Sequence, residues 1–313
     1  MKEKLHIYTI CSDISKLAYL VESSQIANLD INIHKLDIWN GYVDKITTMI
    51  DILESHSETD IICFIDAYDV ICYSGMDEII NKFKDSNCNI LLSGEVNCYP
   101  DKLLCRYKDL EYQMQDFLIK KGGEDYYISP IFPTNFKYVN SGGYIGYCGN
   151  LLKMLKWKSV KEIVEICQDG GDQTYLSIYY LEHAFDSFKR ELECREKNIK
   201  PYDIIKIDIE QNIFQSMYNV KFIEFYYLNG RLYNSILNKK PCFAHFNGFN
   251  VYDSLITSMK TSLCENVYDV FLSTMKKSLL YSDTSFSLDY TVRFYITYNG
   301  KTSSNFIQVG NNE

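Results

Sequence analysis

The run Asp60-Ile-Ile-Cys-Phe-Ile-Asp66-Ala-Tyr-Asp69-Val-Ile71 constrains this chain more than any other stretch. Its five consecutive apolar residues, Ile61 to Ile65, read as a strand buried on both faces, as in a parallel sheet covered by helices. The strand ends in two carboxylates three positions apart. In an open α/β sheet, ligands sit at the carboxyl ends of the strands. A carboxylate pair there is costly unless a cation neutralises it. Aspartate oxygens suit a hard divalent ion such as Mg²⁺ or Mn²⁺. The same spacing also suits two aspartates that cap the next element or line a solvated turn.

The flanking sequence alternates between strand and helix patterns. Leu5 to Ile10 reads as a first strand, ending at Cys11-Ser-Asp13, which offers a helix cap. Ile31 to Leu36 alternates like a second strand. Asp44 to Ser55 places Ile46, Met49, Ile50 and Leu53 on one helical face, and Met76 to Phe83 reads as another helix before a short strand from Asn89 to Leu92. This order predicts an α/β fold built on a mostly parallel, Rossmann-like sheet. Residues 101–138 look irregular, a variable insertion. Asn140-Ser-Gly-Gly-Tyr-Ile-Gly146 suits backbone passing close to a ligand, yet lacks the dinucleotide and Walker spacings. Asn150 to Cys167 looks helical, Asp169-Gly-Gly-Asp172-Gln173 a loop, Thr174 to Phe185 a helix and Tyr202 to Asp208 a strand. Asn229-Gly230 between Phe222–Tyr227 and Arg231–Asn234 signals a hairpin, a small antiparallel portion. Pro241 to Phe246 is an apolar strand that delivers His245. Beyond about Tyr252 the character changes, with a helix over Asn266 to Leu280 and an alternating stretch over Ser285 to Tyr298. The expected division is a main domain over 1–252 and an extension over 253–313.

Composition narrows the classes of partner. The net charge of −9, with no Lys/Arg run, argues against a nucleic acid held by its phosphates. The 27 tyrosines and 17 phenylalanines suit stacking on sugars or bases, and equally an aromatic core. Eleven scattered cysteines without Cys-x-x-Cys form neither a disulfide framework nor a zinc site, so free thiols in a reducing compartment are expected. The first apolar run is too short for a signal peptide, and no segment is long and apolar enough to span a membrane. As written, the chain reads as cytoplasmic.

Three stretches, Phe64-Ile-Asp-Ala-Tyr-Asp-Val-Ile71, Asn140 to Gly146 and Cys242-Phe-Ala-His245-Phe-Asn-Gly248, carry a resemblance. In order and separation they are similar to the glycosyltransferase domain of the procollagen lysyl hydroxylases, a group that includes giant-virus collagen-modifying glycosyltransferases. The resemblance spans about residues 5–252 and implies a GT-A fold, a UDP-sugar donor and a divalent metal. It places Asp66, Asp69 and His245 on the metal ligands. It places Tyr68 against the uracil, Thr9 on a nucleoside contact, Trp39 on a second base-side aromatic, Lys45 on the diphosphate and Gly248 on a backbone contact. Glu95 falls on an acceptor-side carboxylate and Tyr99 replaces a tryptophan in Cys98-Tyr-Pro100. Asn140, Ser141 and Gly142 match an Asn-Ser-Gly-Gly run, Asp172-Gln173 the end of a poly-aspartate motif and Ile213-Phe-Gln215 a further signature. Asp172, Glu95 and Asn140 are thereby the candidates for catalysis, with Tyr99, Ser141, Gly142 and Gln173 on the substrate side. Two departures stand out. The poly-aspartate run is reduced to Asp169-Gly-Gly-Asp172, and a lysine expected after His-x-Asn-Gly falls near Val251.

In such a transfer the leaving diphosphate gains negative charge, which a bridging divalent ion stabilises. A mixed oxygen and imidazole set leans towards Mn²⁺ over Mg²⁺. The resemblance implies transfer of glucose from UDP-glucose to galactosyl-hydroxylysine on collagen-like chains, with retention. The alternatives are galactosyl transfer to hydroxylysine, a metal-dependent phosphatase, and a sugar-nucleotide or carbohydrate-binding protein without turnover. The phosphatase pattern spaces its aspartates by one residue, unlike Asp66 and Asp69. Bland roles also fit several residues: a core histidine for His245, a solvated loop carboxylate for Glu95, a helix cap for Asp172, rim aromatics for Trp39 and Tyr99. In the extension, Val267, Val270, Phe271, Met275 and Leu279 form an apolar stripe to be buried. Phe286, Leu288, Tyr290, Val292, Tyr295 and Thr297 suggest a half-buried strand, a pairing liability if left open. A homodimer through this tail is the expectation, against a tail that covers its own chain.

Overall fold

The computed structural model describes residues 3–122, 130–220, 224–248, 267–280, 286–287, 291–298 and 301–308. β1 (Leu5–Cys11) leads through a turn capped by Asp13 into α1 (Ala18–Ile26) and β2 (Asn32–Lys35). α2 (Val43–Glu54), β3 (Ile61–Ile65), β4 (Val70–Cys72), α3 (Met76–Asp85) and β5 (Ile90–Glu95) follow. Next come α4 (Leu104–Gly122), β6 (Tyr138–Tyr147), α5 (Cys148–Leu155), α6 (Val160–Cys167) and α7 (Gly171–Lys197). β7 (Ile205–Asp208), β8 (Phe214–Ser216), β9 (Phe225–Leu228), β10 (Arg231–Asn234) and β11 (Phe243–His245) complete the main body.

The central sheet has six strands in the order β2-β1-β3-β6-β5-β7. All run the same way except β6, which is antiparallel to both neighbours. The mostly parallel α/β sheet is therefore as expected. β3 shows why its sequence is apolar throughout. Ile61, Cys63 and Ile65 pack with Leu20 of α1 and Phe83 of α3, whereas Ile62 and Phe64 pack with Met49 of α2, Leu151 of α5 and Tyr175 of α7. The period of two sends alternate residues into separate helical layers.

A second, three-stranded sheet, β4-β11-β8, matters more for the site. β11 runs antiparallel to β4, with His245 opposite Val70, and parallel to β8. A third sheet contains the β9–β10 hairpin, whose Asn229 and Gly230 both take positive φ, 51° and 72°, as a tight hairpin turn requires.

Several expectations are corrected. Residues 101–138 are not an irregular insertion: α4 buries Tyr107, Leu110 and Met114 at helical spacing, a pattern masked by the charged residues between them. The glycine-rich stretch, to which the sequence pattern assigns no element, is β6, in the middle of the sheet and against His245. β2 is exposed at every residue, so the alternation of residues 31–36 marks an edge strand without a buried face. The helical pattern from 150 to 167 is two helices, α6 starting afresh at a capping box of Ser159 and Glu162. α7 begins at Gly171, so Asp172 and Gln173 stand in its first turn rather than in a loop. Gly170 and Gly171, at φ 91° and 70°, supply the left-handed entry. The ten cysteines described are free.

In the tail, α8 (Val267–Leu280) packs on the main body. Its Phe271, Leu272 and Met275 join Ile71, Tyr73, Tyr227 and Phe246 in one buried cluster. The side chains of Val267 and Val270 lie outside those described, and Leu279 is exposed, lying beside the hairpin turn at Gly230. β12 (Phe286–Ser287) pairs with β9, and β13 (Thr291–Tyr298) pairs with β14 (Lys301–Gln308) inside the chain. The stretch from 285 to 298 is thus two strands. Val251 and the proposed boundary at 252 lie outside the described residues.

Candidate active site

The ligating atoms of Asp66, Asp69 and His245 lie within 4.8 Å of one another. β3 delivers Asp66 at its carboxyl end, where the Asp66 N–H donates to Gly142 O of β6 at 2.9 Å. The chain then turns directly into β4, whose pairing with β11 brings His245 beside Asp69. Phe246 N–H donates to Asp69 O at 2.8 Å, which locks this corner. His245 Nε2 stands 3.2 Å from Asp69 Oδ2 and 3.6 Å from Asp66 Oδ2.

The other ring nitrogen is fixed from β6. His245 Nδ1 donates to Asn140 Oδ1 at 2.9 Å, and the same oxygen accepts from Gly142 N–H at 3.0 Å. A partner on Nδ1 sets the tautomer and aims Nε2 at the carboxylates. Gly142 is a packing requirement: a Cβ there would fall 2.7 Å from His245 Nε2 and closer still to Nδ1 and Cε1. On the opposite face of β6, a Cβ on Gly143 would meet the Phe214 ring at 2.6 Å.

Lys45 of α2 supplies the second cation. Its Nζ lies 2.5 Å from Asp66 Oδ1 and 3.6 Å from Asp172 Oδ2. Burial alone would lower the Lys45 pKa, but Asp172 and Asp66 outweigh it and hold the ammonium charged. Burial raises the Asp172 carboxyl, Lys45 opposing and Asp66 adding to the rise. For Asp69, burial works upwards but the neighbouring His245 prevails and brings the carboxyl down. His245 moves up in turn, since Asp69 and Asp66 overcome the effect of burial.

Beside this cluster, Glu95 at the end of β5 is almost fully buried, 4% exposed. Burial pushes it up to about 7, against the opposing hydrogen bonds of Gln173 and Asn140. Gln173 Nε2 donates to Glu95 Oε1, Asn247 Nδ2 donates to Glu95 Oε2 at 2.8 Å, and Ser216 Oγ donates to Asn247 Oδ1 at 2.9 Å. Gln173 also accepts from Ser141 N–H at 3.3 Å. Glu95 is therefore no solvated loop carboxylate. The sequence pattern gives Asn247 no role, although it lies inside the His-x-Asn-Gly segment. Asp172 does not cap α7, since Gly170 holds that position, but a carboxylate in the first turn still suits the helix dipole.

The aromatic candidates stand at the rim. Tyr68, Trp39 and Tyr99 are 37%, 40% and 57% exposed, enough to offer ring surface to a ligand. Tyr68 OH accepts from Ser12 N and Asp13 N, each at 2.9 Å, which ties it to the end of β1. Trp39 meets Tyr42 edge to face with centroids 6.1 Å apart. Thr9 is fully buried on β1 with no partner for its hydroxyl among the described residues. Gly248 takes φ +73° against the Tyr218 ring. A groove of about 720 Å³ lined by Glu58, Tyr147 and Lys153, among others, shares no residue with this cluster, so the site is recognised by its side chains and not by a cavity.

Comparison with known proteins finds a family match over part of the chain. Residues 4–122 match the family model described as the PLOD GT domain. The resemblance read from the motifs is thus found again over that span, which holds Asp66, Asp69, Lys45 and Glu95. The chain is 28% identical over 211 residues to an uncharacterised protein of Acanthamoeba polyphaga mimivirus, covering 66% of this chain and 36% of that protein. It is 28% identical over 251 residues to the multifunctional procollagen lysine hydroxylase and glycosyltransferase of Caenorhabditis elegans, covering 74% of this chain and 28% of that protein. The chain therefore spans only about a third of these relatives' length. A solved glycosyltransferase involved in the glycosylation of the major capsid of PBCV-1 aligns with 87% of this chain and 99% of its own, at 10% identity and a TM-score of 0.38. The PLOD GT match ends before His245, Asn140 and Asp172. The second sheet, β6 and α7 join those residues to it in space.

Proposed function

We propose that this chain is a divalent-metal-dependent GT-A glycosyltransferase that moves a hexose from a UDP-sugar, UDP-glucose by preference, to galactosyl-hydroxylysine of collagen-like chains with retention. The observation that carries the reading is the convergence of Asp66, Asp69 and His245 beside the span that matches the PLOD GT domain. Two carboxylates and one imidazole are a donor set that fits Mn²⁺, with Mg²⁺ a poorer match to the nitrogen. Bound there, the metal would stabilise the negative charge of the departing diphosphate. Asn140 orients His245 by holding Nδ1. Tyr68 and Trp39 offer ring faces to a uracil, and the resemblance assigns Thr9, at the ligand end of β1, to the nucleoside. Glu95, held by Gln173 and Asn247, sits beside Tyr99, Ser141 and Asp172 on the side assigned to the acceptor. With a carboxyl at about 7, Glu95 exchanges a proton near neutral pH, as an acid or base for the acceptor hydroxyl needs.

The test is UDP release from a panel of UDP-sugars with Mn²⁺, using galactosyl-hydroxylysine and hydroxylysine peptides as acceptors. UDP-glucose with the galactosylated peptide should give the fastest turnover. Preference for UDP-galactose with hydroxylysine would move the assignment to the galactosyl step, and undiminished turnover in excess EDTA would remove the metal from it. We also propose that the tail beyond residue 252 forms a homodimer contact.

A further inference from the structure

Asp66 is shared between two kinds of partner. Its Oδ2 faces His245 Nε2 at 3.6 Å, while its Oδ1 is held by Lys45 Nζ at 2.5 Å. The ammonium also lies 5.7 Å and 5.8 Å from the ring centroids of Tyr42 and Phe64, so its lateral movement is walled by aromatic faces. It already makes a second, longer ion pair with Asp172 Oδ2, 3.6 Å away. A buried carboxylate without a counter-cation is costly, so some cation must serve Asp66 whenever a metal does not. When a divalent ion binds, two cations would crowd one carboxylate and repel each other at the effective dielectric of a protein site. Asp172 offers the displaced ammonium a buried anion fixed in the first turn of α7, where the helix dipole keeps the carboxylate in place.

We propose that Lys45 is a built-in counter-cation that competes with the divalent metal for Asp66 and passes to Asp172 when the metal binds. This rests on the metal reading above. Lys45 is then a positioning residue: metal occupancy on one side of the site is reported to Asp172 on the other. No bond is made or broken beyond the loss of the Asp66 ion pair and the shortening of the Asp172 one.

The experiment uses the full chain and Mn²⁺ alone, without nucleotide. Calorimetry would compare the wild type with Lys45→Met, and crystals of the wild type would be solved with and without Mn²⁺. Removing the competitor should tighten Mn²⁺ binding about tenfold or more, the scale of one charge-assisted hydrogen bond. In the Mn²⁺ crystals Lys45 Nζ should have left Asp66 Oδ1 and lie within hydrogen-bond distance of Asp172. A wild type that binds no Mn²⁺ overturns the metal reading, and this inference with it. A wild type that binds Mn²⁺ while Lys45 stays on Asp66, or a Lys45→Met that binds no tighter, overturns the handover alone. Should Lys45→Met not fold without metal, the paired crystal structures decide the matter.

Discussion

Replacing Gly142 by alanine tests whether His245 is held for a metal. The new Cβ would lie 2.7 Å from Nε2 and closer to two other ring atoms, whereas carbon contacts are comfortable at about 3.5–4.0 Å, so the imidazole must retreat by roughly 1 Å or more. Metal–ligand distances tolerate about 0.2 Å. The retreat also strains the Nδ1 hydrogen bond to Asn140, and loss of such an orienting partner alone weakens metal binding about 10–100-fold. Gly142→Ala should therefore lose at least that much Mn²⁺ affinity. The next residue provides the control. Gly143→Ala meets the Phe214 ring at 2.6 Å on the other face of β6, with a comparable overpacking cost of about 1–3 kcal/mol but no contact with the imidazole. Titration of Mn²⁺ followed by electron paramagnetic resonance, with urea unfolding of both variants, separates the effects. Equal Mn²⁺ affinity in Gly142→Ala and Gly143→Ala would refute the reasoning.

Three further outcomes are expected. Glu95, with a folded value of about 7 against an ordinary 4.5, should stabilise the protein fully below pH 4.5 relative to higher pH, and that stability should drain away as pH rises through 7; the loss of about 3 kcal/mol should be absent in Glu95→Gln, as urea midpoints against pH would show. Burial alone would raise Glu78, but the hydrogen bonds from Arg231, at 2.5 and 2.8 Å, and from Lys82 bring it down to about 2. Its contribution, present above pH 4.5 and lost as pH falls towards 2, should be about 1–2 kcal/mol once discounted for screening of a carboxylate about one-third exposed, and Arg231→Met should flatten that acid limb in a thermal melt. Light scattering should give a dimeric mass for the full chain and a monomeric one for a chain ended after Ser258; a monomeric full chain removes the dimer.

The parts of the fold that local pattern controls were legible. β3 declared itself by five apolar residues in a row, and the helix α2 by its spacing of Ile46, Met49 and Leu53. The two aspartates could be read because they follow such a strand. What the sequence could not show is the meeting of Asp69 with His245, since it depends on β4 and β11, strands of three residues each joined across more than 170 positions. A three-residue strand has no period to read. The same limit hid the reason for Gly142. A glycine there reads as room for a ligand, whereas here it is a strand residue emptied of its side chain by a histidine from another sheet. The pairing of Lys45 with Asp66 was likewise invisible, because a lysine one turn into a helix carries no sign of burial. Motif resemblance supplied the residue set; only the packing explains why it is that set.

The packing also means that the two halves of the site are not independent. Asn140 holds His245 through its oxygen, and Ser141 N–H, one residue on, is held by Gln173, whose amide reaches Glu95. Glu95 is held in turn by Asn247, which is two residues from His245 on the segment leaving β11. The chain of contacts therefore closes on itself through β6, α7, β5 and β11. Its members are buried except the half-buried Asn247, and a partner removed from such a ring leaves a polar group unsatisfied, at about 1–3 kcal/mol for each buried one. Substitutions at Asn140, Gln173, Glu95 and Asn247 should accordingly be strongly non-additive, because the first break already releases the others. Under the proposed function, a ring of this kind would let one strand position serve metal and acceptor together. β6 presents Asn140 to His245, Ser141 to Gln173 and Gly142 to the imidazole in three consecutive residues, so a change of register there by one residue would dismantle both sides at once.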